Sequence, residues 1–102
     1  DLIVILVDNG TYGTIRMHQE REYPGRVSGS DLYNPDCAAL AQAYGWASHR
    51  IEKTADFGPA LRAAIAEERP TLLHLRLSSD VSTSRSTLTA IREAARQRLG
   101  EG

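Results

Sequence analysis

A single cysteine, Cys37, means that no internal disulfide can hold the chain together. Cysteine usage this low points to a reducing, cytoplasmic compartment. There is no charge bias either: Lys+Arg is 12 and Asp+Glu is 13, a formal net charge of −1. That balance excludes the electrostatic footprint of a nucleic-acid binder or an acidic-membrane binder. No apolar run approaches the roughly 20 residues of a membrane helix. Leu2–Val7 is too short for the apolar core of a signal peptide, and no basic segment precedes it. No Gly-x-Ser-x-Gly elbow, Gly-x-x-x-x-Gly-Lys loop or strand-borne Gly-x-Gly-x-x-Gly occurs, so these hydrolase and nucleotide signatures are absent. An initiator Met is missing as well. Asp1 leads straight into the apolar run, and we expect that this is not a natural N-terminus.

What is present reads as a globular α/β chain. Its 102 residues give room for one small domain. With 41% hydrophobic and 25% charged residues it lies near the globular average, so disorder is not expected. Leu2–Val7 has no polar position and therefore reads as a strand covered on both faces, as in a parallel sheet. Such a strand is expected in the middle of its sheet, with a neighbour on each edge.

Tyr12–Glu22 can form a helix that Pro24-Gly25 ends, and "YPGRVSGSDLYN" reads as a loop rich in turn residues. Asn34–Tyr44 reads as a helix with Asn34 capping and Pro35 in the first position. Cys37, Leu40, Ala41 and Tyr44 share its apolar face, and Gly45 stops it. Trp46–Ile51 reads as a strand. Thr54 or Asp56 caps a helix with Phe57, Leu61, Ala64 and Ile65 on its apolar face, ended by Pro70. Thr71–Leu77 reads as a strand, "SSDVSTS" as a loop, and Arg85–Leu99 as an amphipathic helix with Leu88, Ile91, Ala95 and Leu99 inward. Strands separated by helices predict an α/β fold: three layers, with a short parallel sheet of about three strands flanked by helices.

The stretch Asp8-Asn9-Gly10-Thr11 admits two readings. Asn-Gly is a strong hairpin signal because both residues tolerate positive φ. Yet the run before it does not alternate, and the run after it would pair poorly with an all-apolar strand. In the second reading the segment is a ligand loop just beyond the carboxyl end of a parallel strand. There it offers oxygen donors of the kind Mg²⁺ takes, and the following helix presents its N-terminus to an anion. Asn9 alone supplies too few ligands, so a carboxylate would have to come from elsewhere.

These residues carry a resemblance to a known family. "VDNGTYGTIRMHQEREYPGRVSG" resembles the end of the cofactor motif in the pyrophosphate-binding domain of thiamine diphosphate-dependent enzymes. The likeness is to the acetolactate synthase, benzoylformate decarboxylase and pyruvate oxidase branch. "LYNPDCAALAQAYGW" is similar to the helix after the cofactor loop, "RPTLLHLRLS" to the last strand, and "STSRSTLTAIREA" to the C-terminal tail. The resemblance implies that Asn9 ligates Mg²⁺ through its side-chain oxygen and Thr11 through its backbone carbonyl. It places Gly10 in the cofactor loop, the Tyr12-Gly13 turn beside the diphosphate, and Thr14 and Ile15 near the thiazolium and substrate.

Asp8 stands where the family usually has Asn. A carboxylate beside a diphosphate is unfavourable unless it faces the metal or is hydrogen-bonded away. The family's Gly-Asp-Gly and its activating glutamate do not occur in the 102 residues. The resemblance therefore implies a C-terminal piece of a longer thiamine diphosphate- and Mg²⁺-dependent enzyme acting on a 2-oxo acid, dimeric or tetrameric when intact. The activity implied is acetolactate synthase-like, with a benzoylformate decarboxylase-like enzyme or a non-enzymatic α/β interaction module as alternatives. The piece itself carries no catalytic residue and is expected to be inactive alone.

The remaining candidates read as structural. His18, His49 and His74 lack metal-ligand spacing and read as surface or strand-face residues, His18 being nearest the cofactor loop. Cys37 reads as a buried structural thiol. "HQERE" and the stripe Arg85, Arg92, Arg96 and Arg98 read as solvated helix faces.

Overall fold

A computed structural model describes residues 2–81 and 85–100. The elements are β1 (Ile3–Asp8), α1 (Gly13–Glu22), α2 (Cys37–Ala43), β2 (Ala47–Ile51), α3 (Thr54–Ala66), β3 (Thr71–Arg76) and α4 (Leu88–Arg98). Type and order agree with the sequence reading. The loop expected over "SSDVSTS" falls partly on 82–84, outside the described residues. By contacts the chain forms two compact units. One takes the residues up to Asp8 together with Asn34–Leu77, and the other takes Asn9–Tyr33 together with the chain from Ser78 on.

The first unit holds a three-stranded parallel sheet in the order β1-β3-β2. Ile3 pairs with Thr71 and Asp8 with Arg76 across β1 and β3, while Ala47 pairs with Thr71 and Ile51 with Leu75 across β2 and β3. Thr71 N–H donates to Leu2 C=O (2.9 Å) at one end, and Leu77 N–H to Asp8 C=O (2.8 Å) at the other. Successive strand residues face opposite sides of a sheet. On one side Leu73, with no exposed surface, joins Ile51 and the α3 residues Ala60 and Ala64 in the core. Ile3, Phe57, Leu61 and Leu75 pack around it. On the other side α2 contacts β2 and β3, burying Ala38 and Ala41. Helix, sheet and helix make the three layers the sequence predicts.

Several details differ from that reading. β1 is an edge strand among the described residues, and Ile5 and Val7 are 47% and 60% exposed. Hydropathy reports whether the faces of a strand are apolar, not which of its edges is hydrogen-bonded. The cap of α2 is Asp36, whose side chain accepts from Ala39 N–H (3.1 Å), rather than Asn34, whose amide is used elsewhere. Neither Thr54 nor Asp56 caps α3; Lys53 stands at that position without a side-chain bond. Ile65 is 69% exposed, because α3 buries its alanines. Leu40 and Tyr44 are exposed and line an open apolar hollow of about 420 Å³ with Val4, Leu6 and the half-buried Cys37. Cys37 is therefore not the fully buried thiol expected.

The second unit pairs α1 with α4. Leu88 and Ala95 are buried as expected, while Leu99 ends the helix half-exposed. "HQERE" is not simply a solvated face. Glu20 is 1% exposed, accepts from Gly25 N–H (3.0 Å) and pairs with Arg92 (3.5 Å). Gly25 has φ +76°, and a Cβ there would lie 3.0 Å from the Arg96 guanidinium. Arg98 donates to Arg21 C=O (2.7 Å), so the arginine stripe is partly engaged with α1 rather than wholly solvated.

α4 begins at Leu88, later than expected, because Thr87 caps it by accepting from Ala90 N–H (3.1 Å). Asp80 adds a second clasp, accepting from the Thr89 N–H and hydroxyl, both at 2.8 Å. These bonds from Thr89, aided by the charge of Arg92, hold the Asp80 carboxyl below its ordinary value of 3.8.

Two outcomes follow. Leu73→Ala should lower stability by about 2–5 kcal/mol, the usual range for emptying a packed leucine site, read from urea unfolding. A carboxyl whose folded value is depressed stabilises the fold above its unfolded value and loses that contribution as pH falls through the folded one. The Asp80 clasp should therefore contribute fully above pH 3.8 and open only as pH falls further, through its depressed folded value. Thr89 amide shifts should follow this loss on acidification, and Asp80→Ala should abolish the transition.

Candidate functional site

Asp8 ends β1, and the chain passes directly into Asn9, Gly10 and Thr11. Gly10 has φ +68°, a left-handed conformation that glycine adopts without a Cβ clash. The chain then enters α1 at Gly13. Strand, loop and helix replace the hairpin reading, since β1 pairs in parallel with β3 and not with the segment after Asn-Gly.

Within the loop, the Asn9 side-chain oxygen accepts from Thr11 N–H (3.3 Å). Thr11 is buried, and its hydroxyl donates to Ser30 C=O (2.6 Å). Thr11 also forms an isolated antiparallel bridge with Asp31. The two bonds of that bridge, Tyr12 N–H to Ser30 C=O (2.7 Å) and Leu32 N–H to Gly10 C=O (2.9 Å), flank Thr11. The Thr11 carbonyl thus stays out of the ladder. Tyr12 stands at the N-cap of α1 without a side-chain bond, and no acidic residue occupies the first turn. The opening N–H groups of α1, at Gly13, Thr14 and Ile15, carry no side-chain cap. A helix start of this kind favours an anion. Tyr12, Thr14 and Ile15 are exposed, while Asn9, Gly10 and Gly13 are half-buried. Arg16, one turn in, meets Asp31 at 3.7 Å, and its buried Nε has no partner among the described residues.

The donor chemistry fits Mg²⁺ in part. An amide oxygen and a backbone carbonyl are the hard donors this cation prefers, with further places left for water and phosphate oxygens. Among the described residues no cluster of three or more His, Cys, Asp or Glu could hold a metal by itself. Asn9 and Thr11 could therefore contribute to a site but not complete one.

Asp8 is not such a ligand. Its side chain is 4% exposed. Oδ1 accepts from Asn34 Nδ2 (2.8 Å), and Oδ2 accepts from His74 Nε2 (2.9 Å) and Arg76 Nη1 (2.9 Å). The carboxylate is thus hydrogen-bonded away, one of the two conditions under which it is tolerable beside a diphosphate. A carboxylate only accepts, so His74 Nε2 carries the hydrogen. His74 is 2% exposed and its Nδ1 has no partner among the described residues.

His74 does lie on a strand face, as the sequence suggests, but its burial and its bond to Asp8 are not legible there; His18 and His49 are exposed. A signal was available in principle. A polar residue between leucines in a central strand faces the same side as Asp8 once the register is known.

Thr11→Val should destabilise the chain by about 0.5–1.5 kcal/mol, the net worth of one hydrogen bond, because the Ser30 carbonyl loses the hydroxyl but keeps the Tyr12 N–H. Urea unfolding measures this, and the cost should exceed that of Thr14→Val at an exposed position.

No helix among the described residues is long and apolar enough to cross a membrane. Comparison with known proteins finds two acetolactate synthase large subunits among the relatives. That of Corynebacterium glutamicum is 29% identical over 83 residues, 76% of this chain and 13% of that protein. That of Parasynechococcus marenigrum is 33% identical over 76 residues, 72% of this chain and 12% of that protein. The chain thus spans about an eighth of the length of these relatives. The family model for the thiamine pyrophosphate enzyme, C-terminal TPP binding domain, matches residues 1–75, and the chain belongs to that family.

Proposed function

We propose that this chain is the part of a longer thiamine diphosphate- and Mg²⁺-dependent enzyme that holds the metal from one side. Asn9 would ligate Mg²⁺ through its side-chain oxygen and Thr11 through its backbone carbonyl. The uncapped start of α1, at Tyr12-Gly13, would face the diphosphate, with Thr14 and Ile15 lining the pocket. The observation that carries this reading is the oxygen-donor loop Asn9–Thr11. It follows a parallel strand and opens into a helix with no acidic residue in its first turn. The substrate class we propose is a 2-oxo acid, and the reaction is acetolactate synthase-like decarboxylation and carboligation in a dimer or tetramer. The similarity to acetolactate synthase large subunits supports this choice.

When bound, thiamine diphosphate supplies the electron sink that a departing carbon dioxide requires. The residues of this chain bind and orient. Thr11 is fixed by its hydroxyl on Ser30 C=O, and its amide restrains the Asn9 side chain. Gly10 lets the backbone turn between those two donors. The 102 residues contain neither Gly-Asp-Gly nor an assigned activating glutamate, so two functions must come from elsewhere.

The test is Mg²⁺-dependent binding of thiamine diphosphate by the full-length protein, followed by intrinsic fluorescence. Asn9→Ala should raise the half-saturating Mg²⁺ concentration by about tenfold or more, as expected for losing a ligand whose outer-shell neighbours alone carry that much. The purified 102-residue chain should turn over neither pyruvate nor benzoylformate. Magnesium-independent binding, or turnover by the isolated chain, would overturn the reading.

A further inference from the structure

β1 contains five aliphatic residues and one carboxylate, Asp8, and the carboxylate is the buried one. Such an arrangement is costly. A buried ion pair seldom stabilises a fold more than an apolar pair of the same volume, so stability alone does not account for it. What the network supplies is a fixed position. Asp8 is held by its carbonyl, which accepts from Leu77 N–H (2.8 Å), and by its carboxylate, which accepts from Asn34, His74 and Arg76. Arg76 is its register partner across the ladder, and His74 stands two residues earlier on the same face of β3. Asn9 is the next residue in the chain, so the point from which its side chain departs is set by where Asp8 is held.

We propose that His74 and Arg76 are positioning residues for the side-chain oxygen of Asn9, acting through Asp8, to which Asn9 is peptide-bonded. This rests on the cofactor reading above and goes beyond it by assigning roles to two residues of the last strand. The chemistry also specifies the residue types. Each donor here needs an acceptor, and a carboxylate presents acceptors on both oxygens. An amide at position 8 would turn an NH₂ group toward at least one of these donors. Asp8, His74 and Arg76 therefore form a matched set. His74 itself is not placed for proton transfer, being 2% exposed and bonded only through Nε2 among the described residues.

Two readouts in the full-length protein test this, and the first needs no cofactor. The Thr11 amide is bonded to the Asn9 side chain, so its hydrogen exchange reports whether Asn9 keeps its place. His74→Leu should speed Thr11 exchange and raise the half-saturating Mg²⁺ for thiamine diphosphate binding. Each change should be about tenfold, the lower end of what losing an outer-shell partner costs a metal site. The Tyr23 amide, bonded to Gln19 C=O, should be unchanged. His74→Gln, which returns an N–H near the Nε2 position, should restore both readouts. Should His74→Leu not fold, Arg76→Leu at a side chain 40% exposed carries the same comparison, with Arg76→Lys as its rescue. Unchanged Thr11 exchange in a folded variant overturns the proposal, as does equal loss in the Leu and Gln variants. A wild-type protein that shows no Mg²⁺-dependent binding overturns the cofactor reading instead, and the exchange arm still decides whether His74 positions Asn9.

Discussion

The placement of β3 between two parallel neighbours and two helical layers is the constraint on which the sheet unit depends. A central parallel strand must have both faces covered and every backbone group paired. β3 meets that demand asymmetrically. Leu73 enters an apolar core with Ile51, Ala60 and Ala64, while His74, the next residue, is buried on the opposite face. A buried imidazole must find a partner. The carboxylate of Asp8, on the adjacent strand and the same face, supplies it. The polar network at the end of β1 is therefore a consequence of burying β3.

The helical unit solves a related problem with different residues. Glu20 projects from a helix of mostly polar sequence, yet it is the most buried residue there. Its two oxygens gather the Gly25 amide and the Arg92 guanidinium, joining the loop after α1 to α4. Gly25 suits this position twice over, having a positive φ and no Cβ to press on Arg96. The loop that resembles the cofactor motif thus leads into a helix whose C-terminal end is tied to α4, with Arg98 on the Arg21 carbonyl as a further tie.

Family membership rests on similarity over residues 1–75. Loop geometry is a separate observation: oxygen donors at Asn9 and Thr11, a positive-φ glycine between them and an uncapped helix start. Asp8 looked awkward as a carboxylate beside an expected diphosphate. Its bonds to Asn34, His74 and Arg76 give that charge an occupation within the sheet unit.

Element type and order were legible in the sequence because they depend on neighbours in the chain. An all-apolar hexapeptide, a 3.6-residue periodicity in Arg85–Leu99 and glycine or proline punctuation each act within a few residues. The Asn9–Thr11 loop was legible for the same reason, as a short motif after a strand. Tertiary structure alone decided that, among the described residues, β1 pairs on one edge with β3, that Asp36 rather than Asn34 caps α2, and that Glu20 and His74 are buried. It also chose their partners, since Asp8 meets His74 across 66 residues and Glu20 meets Arg92 across 72. Local pattern carries no information about which distant donor comes to rest beside a carboxylate. That is set by strand register and helix packing, which exist only once the chain has folded.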